Sequence, residues 1–64
     1  MSYLTTEQAA KRLTLKKSTL EAWRVRGGGP RFLKLGRAVR YRDEDLAAFE
    51  EAGVRESTSA EGRP

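Results

Sequence analysis

Apolar residues recur along this chain with two different periods, and each change of period marks an element. Ala9, Ala10 and Leu13 fall at spacings of one, three and four and leave Glu7, Lys11 and Arg12 to water, which predicts a short amphipathic helix from Thr6 to about Leu13. Its start is marked by Thr5 with Gln8 three residues on, a capping-box pair, and by Leu4 in the staple position before the cap. After the short turn Thr14-Leu15-Lys16, a second helical pattern runs over 17–26. Leu20 and Trp23 lie one turn apart and face the first helix, while Lys17, Ser18, Glu21 and Arg24 share the opposite side. Gly27-Gly28-Gly29-Pro30 stops this helix; the glycines read as a flexible link and Pro30 fixes the direction of the chain beyond them.

The period then drops to two. Leu33 and Leu35 alternate with Lys34, and Val39 and Tyr41 with Arg40 and Arg42, so the pattern predicts two strands joined by a three-residue connection, Gly36-Arg37-Ala38. This spacing puts Leu33, Leu35, Val39 and Tyr41 on one face and Lys34, Arg40 and Arg42 on the other, with Arg37 at the tip. A lone two-stranded hairpin is marginal in water, so its apolar face must rest on the helices and its basic face must point outward. Asp43 then reads as the cap of a third helix whose first-turn acids, Asp43, Glu44 and Asp45, suit the helix dipole. Leu46 and Phe49 give its apolar stripe and Gly53 its stop. From about Arg55 there is no apolar periodicity, so the expected division is a folded domain over 1–53 and a disordered tail over 54–64. The fold class expected is α+β, mostly α.

Composition narrows the chemistry. A chain of 64 residues has a small core, burying only about 60% of the surface its unfolded form exposes. It has neither Cys nor His, so disulfides, the usual zinc ligands and the commonest general base are all missing. An enzyme, a cofactor, a metal and a small-molecule ligand are therefore not expected. The N-terminus lacks a basic segment followed by an apolar one, and no apolar run is long enough to span a bilayer, so the expectation is a cytoplasmic protein without a membrane partner. Trp23 reads as a core aromatic rather than a base-stacking one, given its spacing to Leu20.

Charge is distributed unevenly. Residues 8–42 carry eleven Lys or Arg against one acid, Glu21, whereas residues 43–64 carry seven acids against two Arg. A basic block inside a folded region has two readings, a phosphate-binding surface or a solvated face. The glycine run is no nucleotide loop, since it follows a helix and enters a proline instead of leading into a helix.

The order of elements is that of a helix-turn-helix followed by a wing. In that arrangement the N-terminal part of the second helix meets the major groove and a basic hairpin reaches backbone or minor groove alongside. Lys16, Lys17, Ser18, Thr19 and Glu21 are the candidate base readers. Glu21 has two readings, accepting from a cytosine amino group or pairing with Ser18 in a capping box. Arg24 and Arg26, with Lys34, Arg40 and Arg42 of the hairpin, are the candidate phosphate contacts, and Arg37 is placed to border the minor groove.

Leu4-Thr5, Glu7, Ala9-Ala10, Ser18-Thr19-Leu20 with Trp23, the run from Gly28 to Arg42, and Asp45-Leu46 with Phe49 together resemble the excisionase-type, MerR-like winged helix-turn-helix family over roughly residues 3–50. The resemblance implies double-stranded DNA as partner, in a bacterial or phage-encoded, nucleoid-associated setting. It further implies a recombination directionality factor: adjacent copies bind cooperatively, bend attachment-site DNA and help an integrase, a tyrosine or serine recombinase, to excise a mobile element. The short length beyond the module leaves no ligand-sensing or dimerising domain like that of full MerR regulators to be expected, which tips the reading toward that factor; a small phage- or plasmid-type transcription regulator shares the fold and the DNA surface, and the sequence does not separate the two. A protein-interaction module for an acidic partner is the alternative of another class. The charge split also allows the acidic third helix and tail to attract the basic body of a neighbouring copy. Members of the family usually carry Gly where this chain has Thr14 and a small capping residue where it has Lys16. A positive φ at Thr14 would cost about 1 kcal/mol relative to Gly, and the cap of the second helix would then shift to Ser18.

Overall fold

The computed structural model describes residues 2–55. The chain runs β1 (Tyr3–Leu4), α1 (Thr6–Leu13), α2 (Lys17–Arg26), β2 (Leu33–Leu35), β3 (Ala38–Arg42) and α3 (Asp43–Ala52), a winged helix-turn-helix of mostly helical content. The expected tail lies, from residue 56 on, outside the described residues.

Local signals place the helices. Thr5 Oγ1 accepts from the Gln8 amide at 3.1 Å and Gln8 Oε1 accepts from the Thr5 amide at 2.9 Å, which closes the capping box. At the other end Thr14 adopts the left-handed conformation, φ 57° and ψ 43°. Its amide donates to the Lys11 carbonyl at 3.1 Å and the Leu15 amide to the Ala10 carbonyl at 2.9 Å, the paired bonds of a Schellman motif. The chain therefore turns sharply at a β-branched residue, in a geometry that glycine adopts at lower cost.

Two caps differ from expectation. α2 starts at Lys16, which is extended and makes no side-chain cap bond, and its carbonyl accepts from the Thr19 amide at 3.0 Å. Ser18 is already inside the helix, so neither a shifted cap nor a Ser18–Glu21 box forms. α3 is capped by Arg42, not Asp43: Arg42 is held extended by pairing with Tyr3, and the strand runs straight into the helix. Asp43 is its first residue, with its amide donated to the Ser2 carbonyl at 3.1 Å. Gly53 ends α3 as expected, in right-handed geometry.

The sheet has three strands, in the order β1-β3-β2, rather than the two of a simple hairpin. β1 is only two residues long, too short to show a period. The hairpin register also differs. Leu35 pairs with Ala38, Lys34 with Val39 and Leu33 with Arg40, so the connection is the two-residue turn Gly36-Arg37, with φ +65° at Gly36. Residues opposite each other share a face, and a one-residue change of register exchanges the faces of a strand. Lys34 therefore lies on the face of Val39 and Tyr41, while Leu33 and Leu35 lie on the outer face with Arg40 and Arg42; Leu35 is 51% exposed.

The core consists of Ala9 and Ala10 from α1, Leu20 from α2, Tyr41 from β3 and Leu46 from α3, with Leu4, Leu13, Trp23 and Val39 packed around it. Trp23 meets Phe49 of α3 at 5.6 Å between ring centroids, so its role is in packing. Gly29 lies against the same indole: a Cβ there would stand 2.6 Å from Trp23 Cε3. The glycine link is thus fitted to the tryptophan and is more than a helix stop.

Candidate nucleic-acid interface

The Thr14 turn sets α2 against α1 through Leu20 and leaves the far side of α2 uncovered. Lys16, Lys17, Ser18, Glu21 and Arg26 are exposed and Thr19 is half-buried. Ser18, Glu21, Ala22 and Val25 fall at i, i+3, i+4 and i+7 and form one stripe pointing away from the core, with Lys17 and Arg26 at its borders. Lys17 Nζ stands 4.0 Å from Glu21 Oε2, and both groups are solvated. Because the cap is Lys16 and Ser18 lies inside the helix, the capping alternative for Glu21 is removed, and its carboxylate faces outward beside a cation. Val25 and Ala22 are not among the residues expected on this face, although the same helical spacing places them on the stripe.

Arg24 leaves this face. It follows Leu20 by four residues and so shares its side of the helix. Its Nη1 donates to Thr6 Oγ1 at 3.0 Å and to the Tyr41 hydroxyl at 3.0 Å, and the guanidinium lies 5.9 Å from the Phe32 ring centroid. One half-buried side chain thus links the start of α1, the last turn of α2 and the wing. The expectation that Arg24 sits with Lys17, Ser18 and Glu21 is corrected accordingly.

The hairpin presents its cations unequally. Arg37, the second turn residue, and Lys34 are exposed. Arg40 is half-buried on the outer face and donates from Nη1 to the Val39 carbonyl at 2.8 Å. Arg42 donates from Nε to Asp45 Oδ2 at 2.7 Å and stands 3.9 Å from Glu44. This hydrogen bond lowers the Asp45 carboxyl from its ordinary value against the opposing effect of desolvation, and it raises the Arg42 guanidinium in turn. The predicted basic face of Lys34, Arg40 and Arg42 is therefore not one surface: Lys34 is on the opposite face and Arg42 serves α3.

Arg12 is exposed, as expected, and also clamps α3 to α1. Its Nε and Nη2 fork onto Glu50 at 3.1 and 3.2 Å and its Nη1 donates to Asp43. These bonds, that to Glu50 foremost, raise its basicity further. Asp43, Asp45 and Glu50 are consequently paired within the chain, which leaves less of the α3 charge to attract a neighbouring copy.

Among the described residues no cluster of acidic, His or Cys side chains is placed to hold a metal ion, and no helix is long and apolar enough to cross a membrane. A shallow hollow of about 220 Å³ between Gly29, Pro30, Arg31 and the α3 residues Asp45, Ala48 and Phe49 is smaller than the roughly 300 Å³ at which ligand pockets begin. Residues 3–53, which include every element above, match the helix-turn-helix domain family. The chain belongs to that family. No curated protein matches it. As a helix-turn-helix domain it is a DNA-binding module, and α2 is the second helix of its motif.

Proposed function

We propose that the protein lays the exposed stripe of α2 in the major groove of duplex DNA and sets the hairpin as a wing beside it. In this reading Ser18 and Glu21 meet base edges, with Lys16, Lys17 and Thr19 at the entry to the groove. Lys16, Lys17, Arg26, Lys34 and Arg37, the exposed cations of α2, its cap and the hairpin, meet the phosphates, and Arg37 borders the minor groove. The observation that carries the reading is the outward α2 face itself: polar in its N-terminal half, flanked by cations and rigidly mounted through Leu20, Trp23 and Arg24.

Its biological role is that of an excisionase-type directionality factor. The support is the resemblance of the segment from Gly28 to Arg42, with the α1 and α2 motifs, to that MerR-like group. Adjacent copies bind cooperatively, because one module of this size buries only about 600–1,000 Å² on DNA and holds weakly alone. The protein bends the site and directs an integrase while catalysing nothing itself. Footprinting on the DNA flanking its gene, followed by an excision assay with a neighbouring integrase, tests the role. Protection of repeated adjacent sites and excision that depends on the protein are expected. Protection of a single promoter-overlapping site with no effect on excision would establish a transcription regulator instead.

A further inference from the structure

Val25 is 87% exposed, the most exposed of the large apolar side chains among the described residues. An isolated exposed valine is ordinary on a protein surface, and β-branched residues are mediocre helix formers, so nothing in the stability of α2 calls for one here. Its position gives it meaning. Val25 follows Ala22 by three residues, Glu21 by four and Ser18 by seven, so it continues the outward stripe of α2 into the last turn of the helix. Lys17 and Arg26 flank the stripe and Arg24 turns inward beneath it, so no charged side chain of α2 covers the valine. The N-terminal half of the stripe is polar and its C-terminal half is apolar.

The major groove contains one apolar group on its base edges, the 5-methyl of thymine, and apolar side chains are what read it. We infer that Val25, with Ala22 one turn before it, forms a thymine-reading contact that gives α2 part of its sequence preference. The inference deepens the proposed function and rests on it. Seven residues of helix advance about 10 Å, close to three base steps of 3.4 Å. The thymine is therefore expected about three steps from the base that Ser18 meets, on the side of the C-terminal end of α2.

Selection of a binding site from a random duplex library, followed by replacement of each thymine in that site with deoxyuridine, removes the methyl group and leaves the hydrogen-bonding edge intact. One position is expected to lose about fourfold in affinity, the equivalent of one buried carbon. Val25→Ala, at an exposed position where alanine favours the helix, is expected to bind the parent site about fourfold more weakly and to be indifferent to deoxyuridine at that position. Circular dichroism and melting of the variant check that α2 remains formed. If no deoxyuridine weakens binding of the parent protein, or if Val25→Ala keeps the full penalty, the assignment is overturned while DNA binding stands. If the library yields no preferred duplex at all, the base-reading role of α2 fails together with it.

Discussion

Arg24 donates from Nη1 to the Tyr41 hydroxyl at 3.0 Å, so a single guanidinium fixes the second helix of the motif to the central strand of the wing. The same nitrogen bonds Thr6 at the start of α1. Arg24→Ala is therefore expected to act on stability: two hydrogen bonds from a charged group are lost, at a cost of about 1–3 kcal/mol. Measured by denaturant melting and by salt titration of DNA binding, the variant should be less stable and keep the salt slope of the parent. A slope flattened by about one unit with unchanged stability would return Arg24 to the phosphate contacts.

Five exposed cations, Lys16, Lys17, Arg26, Lys34 and Arg37, define the expected phosphate set. If each neutralises one phosphate, log K should fall with log salt at a slope of about −4 to −5. Arg37→Ala should reduce that slope by about one unit and also abolish a preference for A·T-rich flanking steps, whose narrow minor groove attracts arginine. Equal relative affinity of parent and variant for A·T-rich and G·C-rich flanks would show that the wing does not read the groove through this residue.

Thr14 closes the Schellman motif at φ 57°, where a Cβ is unfavourable. Thr14→Gly keeps both backbone hydrogen bonds and relieves the strain, so a gain of about 1 kcal/mol is expected. For a domain of this size that corresponds to a rise of roughly 4–8 °C in Tm, readable by calorimetry. No gain would mean that the threonine makes a compensating interaction in the turn.

Gly29 is the reverse case. A Cβ at this residue would stand 2.6 Å from Trp23 Cε3, and the backbone φ is +77°. Gly29→Ala should cost about 2–3 kcal/mol through overpacking and left-handed strain together. Gly28 has a similar φ but nothing within 4 Å of its Cβ position, so Gly28→Ala should cost only the strain, about 1 kcal/mol. Comparing the two melting curves separates contact with the indole from backbone conformation.

The Arg42–Asp45 pair predicts an acid limb of stability. Asp45 is only 8% exposed, and its carboxyl lies below its ordinary value of 3.8 because Arg42 hydrogen-bonds the ionised form. A carboxylate depressed in the folded state stabilises the protein above its unfolded value, and that contribution is lost as the pH falls through the lower folded value. Asp45→Asn should therefore be less stable than the parent at neutral pH, with the difference closing below about pH 4. A difference constant from pH 7 to pH 2 would indicate a packing effect of the substitution and not the ion pair.

The sequence by itself determined what depends on neighbours within about four residues. The bounds of α1 and α2, the Thr5–Gln8 box and the glycine stops all follow from backbone hydrogen bonds that close locally, where side-chain type is decisive. Tertiary structure decided which side chains are free to act. Hairpin faces depend on whether the turn spans two residues or three, and that single residue moved Lys34 to one face and Leu33 and Leu35 to the other. Among the described residues, the uniform basic block separated into cations without a partner on another element and cations tied down within the fold, because Arg12, Arg24 and Arg42 found partners on other elements, up to thirty-eight residues away. Charge counts along a chain cannot show such pairing, since an arginine with a long stem reaches whatever acid or hydroxyl the fold brings near it. Val25 was left uncovered for the same reason: its neighbours in sequence are basic, but the fold turns one of them inward and leaves the methyl groups facing out.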